Sequence, residues 1–172
     1  SCAARPRLRA HPAGRWPTHV RPSTWRERVA QLRGLRRAAR AADRDFDARE
    51  NALVLGYGTG ASSRVLHDAG FAHLDIADLS RDVVTMADEH FASINGKVSQ
   101  QPGVRTHITD GRNLLLLTKR QYDVISIEIS SIWFAGAASL YNREFYQLAR
   151  AKLRPDGVLQ QWVQLHHMAT TD

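Results

Sequence analysis

Cysteine is almost missing from this chain: Cys2 is the only one in 172 residues. A single cysteine excludes an internal disulfide and a cysteine-built metal cluster, and it is compatible with a reducing compartment. Long apolar runs are missing as well. A membrane-spanning helix needs about 18 or more consecutive apolar residues, and the apolar stretches here are short and strand-like. No apolar signal core is visible near the N-terminus, and the opening Ser1-Cys2 without Met suggests a processed or cut-down product. His166 and His167 have no acid or cysteine at ligand spacing around them, so no metal is expected.

Acids are scarce where bases crowd. Residues 1–40 carry eleven Arg against Glu27 alone, a balance of +10, whereas residues 41–172 carry thirteen Lys and Arg against sixteen acids, a balance of −3. The basicity therefore belongs to an N-terminal arm, 1–45, and not to the body, 46–172. Residues 1–22 are rich in Arg, Pro and Ala and read as disordered. Trp25, Val29, Leu32 and Ala39 fall at helical spacing, which predicts an amphipathic helix over about 24–42. Such an arm can contact a polyanion or an anionic membrane surface; the plainer reading is a solvated leader.

What the body does have is alternation. Short apolar runs at 52–56, 73–78, 104–109, 122–128 and 157–165 read as strands, with helical patterns between them. Ser80 and Asn142 stand where helix caps belong. This predicts an α/β fold with a mainly parallel sheet, cut short after strand five. In such sheets ligands bind at the carboxyl ends of the strands. Gly56, Asp78, Asp110 and Glu128 fall at the ends of strands one to four.

The run Leu53-Val-Leu-Gly-Tyr-Gly-Thr-Gly60 is the strongest single signal. Glycines after a strand let the backbone turn and approach a ligand closely. Asp78, about twenty residues on, can accept from two ribose hydroxyls. The unit therefore predicts a nucleoside-type cofactor. Gly56, Gly58 and Ala61 fit the loose dinucleotide fingerprint; Gly56, Gly58 and Gly60 fit the tighter form usual for S-adenosylmethionine. A dinucleotide needs its pyrophosphate at the helix N-terminus, while an adenosyl sulfonium compound needs a ribose acid and an adenine pocket. Tyr57, inside the loop, is placed to stack on the cofactor. Asp110 can cap the helix it precedes, bind a ligand, or do both. Asp123, at a strand start, reads as structural.

Taken together, the glycine run, Asp110-Gly111-Arg112-Asn113, Tyr122-Asp-Val-Ile125, Ser139-Leu-Tyr-Asn-Arg-Glu-Phe-Tyr146 and Leu153-Arg-Pro-Asp-Gly157 resemble the spermidine synthase (polyamine aminopropyltransferase) superfamily. The likeness is closest to a bacterial spermidine synthase-like branch often fused to membrane segments, through Glu128-Ile-Ser-Ser-Ile-Trp133 and Gln161-Trp162, and it covers about residues 50–168. It implies a Rossmann-like S-adenosylmethionine-binding fold and aminopropyl transfer from decarboxylated S-adenosylmethionine to a diamine, without a metal. Gly56, Gly58 and Gly60 would flank the adenosyl moiety, with Thr59 in the same loop. Asp78, with Leu79 beside it, would hold the ribose. Asp110, with Gly111, would accept from the adenine amino group. Glu128 stands where the family has its catalytic Asp. Ser131 and Tyr141 would face the acceptor. The implied location is cytoplasmic, alone or within a longer membrane-anchored protein, and a homo-oligomer is left open.

The departures from the family pattern are specific. Thr59 replaces an Asp that contacts the cofactor's amino group, Ser131 replaces an Asp that helps hold the diamine, and Glu128 is one methylene longer than the expected Asp. The family's N-terminal hairpin domain is not recognisable. These changes predict weak or lost transfer in this chain. They leave two alternatives: a methyltransferase using intact S-adenosylmethionine, or a non-catalytic module that keeps the fold.

Overall fold

A computed structural model describes residues 50–129 and 137–162. The basic arm with its expected helix, and Ser131, lie outside the described residues. Strand β1 (Asn51–Leu55) leads into helix α1 (Ala61–Asp68), then β2 (His73–Asp78), α2 (Arg81–His90) and the short α3 (Ala92–Asn95). A 3-10 turn at Val98–Gln100 precedes β3 (Val104–Ile108) and α4 (Gly111–Leu117). Then come β4 (Tyr122–Ile127), a second 3-10 turn at Ala137–Leu140, α5 (Arg143–Lys152) and β5 (Leu153–Gln161).

The five strands are all parallel, in the order β3-β2-β1-β4-β5. Alternation of side chains splits each apolar run between two faces. Ala52, Val54, Leu74, Ile76 and Val124 pack under α1 and α2 with Leu66, Val84 and Ala87. Leu53, Leu55, Ala77, Ile125 and Ile127 pack on the other side with Leu115, Phe145 and Ala149 of α4 and α5. A sheet covered on both faces explains why its strands read as continuous apolar runs. Three helix starts are fixed by a side-chain cap: Ser80 Oγ accepts from Val83 N at α2, Asp110 Oδ1 from Arg112 N and Asn113 N at α4, and Asn142 Oδ1 from Phe145 N at α5, whereas α1 starts at Gly60 without one.

The chain crosses outward from β1 to β2 and β3, then returns to place β4 on β1's other side. The connections reverse direction between β1 and β4, and at such a switch point the strand ends part to leave a crevice.

Two long-range polar clusters tie neighbouring strands of the sheet together. Asp123 Oδ2 accepts from Glu50 N at 3.1 Å and Asn51 N at 2.8 Å, and its Oδ1 pairs with Arg154. That is the structural role expected for it. Asp75, 3% exposed, accepts from Tyr122 Oη at 3.0 Å and Arg120 at 3.3 Å and pairs with His107 Nε2 at 2.9 Å. Burial pushes the Tyr122 hydroxyl up to about 12.

One expectation is displaced. Strand five begins at Leu153, not Gly157, and its register jumps: Tyr122 pairs with Leu153, and Val124 with Val158. Residues 154–157 bulge from the ladder because Pro155 has no N–H to give. A Cβ on Gly157 would sit 2.8 Å from the Tyr122 carbonyl oxygen. The expected end of this strand, past 162, lies outside the described residues.

Candidate active site

The crevice is built from three strand exits. Gly56 N donates to Ala77 O, Thr109 N to Asp78 O and Glu128 N to Leu55 O, at 2.8, 2.9 and 2.8 Å. These bonds extend the sheet by one residue at each exit and bring Gly56, Asp78, Asp110 and Glu128 to one end of it. The convergence expected from the sequence is thus the arrangement the sheet produces.

The loop Gly56–Gly60 has left-handed backbone at each glycine, with φ of 92°, 55° and 78°. Gly60 N closes the turn on Tyr57 O at 2.8 Å. At Gly58 an added Cβ would meet nothing within 4 Å, so the loop's outer side is open. At Gly60 it would strike Asn95 and the Tyr57 ring at 2.7–2.8 Å, so that glycine serves the fit of the loop onto the body.

Asp78 ties the loop to β2. Its Oδ2 accepts from Tyr57 N at 2.8 Å and its Oδ1 from Ser80 N at 2.9 Å. Each oxygen keeps a further lone pair for a hydroxyl. Leu79 beside it is 71% exposed, an apolar side chain at the rim of the crevice. Asp110 spends Oδ1 on capping α4, which leaves Oδ2 for another donor. Gly111 packs against Leu55, where a Cβ would lie 3.0 Å from Cδ2.

Tyr57 corrects one reading. Its ring is 2% exposed and belongs to the core under α1 and α2, with its hydroxyl 2.5 Å from Asp88 Oδ1. Only its main chain faces the loop's working side, so the ring is not a stacking surface. The sequence marked the position but not which way the ring turns.

Glu128 is built differently from the other acids. Burial raises its carboxyl above the ordinary glutamate range, against hydrogen bonds from Ser126 and Ser62 that pull it down. Ser126 Oγ lies 2.5 Å from Glu128 Oε1 and 2.5 Å from Gln160 Oε1. A hydroxyl has one hydrogen to give, so both contacts are hydrogen bonds at once when Glu128 is protonated and donates to Ser126. Ser126, Ser62 and Gln160 carry no motif, and sequence reasoning missed them. Tyr141 Oη donates to Ile129 O at 2.5 Å, fixing the segment that leaves β4. Burial raises its hydroxyl too.

Among the described residues no three His, Cys, Asp or Glu side chains are grouped to hold a metal ion. A separate cavity of about 360 Å³ between α2, the first 3-10 turn and β3 is lined by Arg81, Asp88, Lys97 and Thr106. It contains none of the expected site residues.

The family profile described as spermine/spermidine synthase domain matches residues 42–170. This chain belongs to that family. Among curated relatives of the spermine/spermidine synthase family, the polyamine aminopropyltransferase of Nitrosomonas europaea is 33% identical over 114 residues, which is 66% of this chain and 35% of that protein. Polyamine aminopropyltransferase 2 of Pseudomonas aeruginosa is 33% identical over 115 residues, 66% of this chain and 33% of that protein. The chain thus spans about a third of the length of these relatives. A spermidine synthase solved with the transition-state analogue AdoDATO superposes with a TM-score of 0.59 at 23% identity, over 65% of this chain and 38% of that one. A SAM-dependent methyltransferase from Agrobacterium tumefaciens gives 0.58 at 21% identity, over 77% and 43%. These two likenesses establish the Rossmann-like methyltransferase fold. No helix among the described residues is long and apolar enough to cross a membrane.

Proposed function

We propose that this chain is the cofactor-binding part of an aminopropyltransferase, moving an aminopropyl group from decarboxylated S-adenosylmethionine to a small diamine. The observation that carries the proposal is Glu128, a part-buried carboxyl raised above its ordinary range at the switch point, with its Cβ 3.7 Å from where a side chain on Gly56 would start. Membership of the family and the names of its curated relatives support the reaction class.

The crevice fits an adenosyl group. The open side of Gly58 leaves the loop's main chain clear, Asp78 keeps lone pairs for ribose hydroxyls, Leu79 offers an apolar surface to adenine, and Asp110 Oδ2 suits its amino group. When bound, the sulfonium compound would supply an electrophilic carbon beside its positive sulfur, the C–S bond breaking as the C–N bond forms and methylthioadenosine leaving with the sulfur's electron pair. A diamine is protonated at neutral pH, and only its free amine is a nucleophile. Glu128 takes that proton at its carboxylate, and its raised affinity for protons makes it a stronger base than an ordinary glutamate. Tyr141 holds the β4 exit in place, and Ser131 follows in the same segment as the acceptor-side residue. Alignment of amine and carbon supplies much of the remaining rate.

A methyltransferase using intact S-adenosylmethionine is the second reading. It is favoured by Thr59 and Ser131, which put neutral side chains where acids would serve the decarboxylated cofactor and the diamine.

Calorimetric titration with both forms of the cofactor, followed by product analysis with putrescine, tests the proposal. Binding of the decarboxylated form with spermidine formed, even slowly, is the expected result. Preference for the intact form with methyl transfer would move the assignment to the second reading. Tight NADH binding with no response to methylthioadenosine would overturn both.

A further inference from the structure

The glycine loop is fastened from behind by two buried polar side chains that the crevice does not use. Asn95, the last residue of α3, is fully buried. Its Nδ2 donates to Thr59 O at 3.0 Å and to Ala87 O at 2.9 Å, and its Oδ1 accepts from Lys97 N at 2.8 Å. Both amide hydrogens and the carbonyl are thereby engaged. Asp88 in α2, 3% exposed, accepts from the Tyr57 hydroxyl at 2.5 Å, from the Ser99 hydroxyl, and from Gln100 Nε2 at 3.2 Å. Between them the two residues grip the loop at Tyr57 and at Thr59. The packing is tight on this inner side, where Asn95 and the Tyr57 ring both abut Gly60, and open on the outer side at Gly58.

We propose that Asp88 and Asn95 are positioning residues for the nucleoside site. Acting through Tyr57 and Thr59, they hold the loop in the conformation in which Tyr57 N–H meets Asp78 Oδ2. The proposal rests on reading Asp78 as the ribose acid. Its physical basis is entropy. A segment with three glycines in five residues loses more freedom on ordering than the same segment with side chains at those positions, and a ligand that had to order it would bind correspondingly less well. Hydrogen bonds to a buried carboxylate and from a fully engaged buried amide are stronger and costlier to break than exposed ones. The loop is therefore ordered before the ligand arrives. The anchors lie 31 and 36 residues beyond the loop positions they hold.

Tyr57→Phe is the cleanest probe, because it deletes one hydroxyl, keeps the ring under Gly60 and leaves Asp88 its Ser99 and Gln100 donors. Asn95→Asp removes the donors to Thr59 O while keeping the side-chain shape. Phe145→Leu, in the core on the opposite face of the sheet, controls for general destabilisation. Each is made in the full chain. Two readouts are taken: methylthioadenosine affinity by calorimetry, and amide hydrogen exchange in the ligand-free protein. Tyr57→Phe should weaken methylthioadenosine about 5- to 10-fold, the worth of one buried hydrogen bond, and speed exchange at the Tyr57 and Gly60 amides about tenfold relative to those of β4. Asn95→Asp should do the same or more. Phe145→Leu should lower thermal stability without selecting the loop. Loop exchange and affinity within twofold of wild type in both probes would overturn the proposal. If the wild-type chain binds no adenosyl compound, the nucleoside reading fails by itself. Unchanged loop exchange in Tyr57→Phe would remove the anchoring role separately.

Discussion

The two halves of the crevice place their acids by different means. On the β1-β2-β3 side, Asp78 and Asp110 accept hydrogen bonds from main-chain N–H groups within the same turn or from the neighbouring loop. Each acid organises a turn or a helix start as it faces the crevice. On the β4-β5 side, Glu128 is desolvated and held by hydroxyls from α1 and β4, with Gln160 of β5 behind Ser126. Amide-bound acids suit recognition, because their geometry is fixed by backbone. A part-buried acid with a raised proton affinity suits proton transfer. Under the proposed function, this contrast would give binding to one half and chemistry to the other.

The largest expected effect tests the chemistry half. Glu128→Gln should lower turnover by about 10²–10⁴-fold, the usual worth of a general base, while methylthioadenosine binding stays near wild type. Steady-state rates with putrescine and calorimetry on the same variant check this, and undiminished turnover would break the division. On the binding side, Asp78→Ala should weaken adenosyl ligands by about 1–3 kcal/mol, the cost of leaving polar groups unpaired. Part of that loss comes from Tyr57 N–H and Ser80 N–H, which lose their acceptor.

Asp110→Ala sharpens the comparison further. Loss of the α4 cap should cost about 1 kcal/mol of stability whatever the ligand, seen as a lower melting temperature. A loss of methylthioadenosine affinity beyond that of equally destabilised variants would add the adenine contact. The smallest effect is one of pH. The folded state raises the proton affinity of Glu128, so between the ordinary glutamate value and the raised one the native chain holds more protons than the unfolded chain. Stability should then fall as pH rises through that window. Glu128→Gln should melt higher than wild type near neutrality, and the gap should close as pH drops below the ordinary glutamate range.

Legibility followed the same divide. The glycine loop, Asp78 and the caps at Ser80, Asp110 and Asn142 are local devices, and each could be read from a few neighbouring residues. The start of β5 could not, because Pro155-Asp156-Gly157 reads as a helix stop and the bulge that absorbs it forms only against β4. Glu128 could be located by resemblance, but its burial and its partners Ser126, Ser62 and Gln160 could not.

The sequence by itself determined a parallel α/β sheet with a glycine loop and acids at its strand ends. Strand periodicity, left-handed glycines and caps satisfy backbone groups within a few residues, and those needs show in the order of residues. The tertiary structure alone decided that Tyr57 turns its ring into the core, that Asp88 and Asn95 grip the loop, and that Glu128 is desolvated. These depend on which side chains meet across thirty or more residues and on how much water packing removes, and neither is a property of any local stretch of chain.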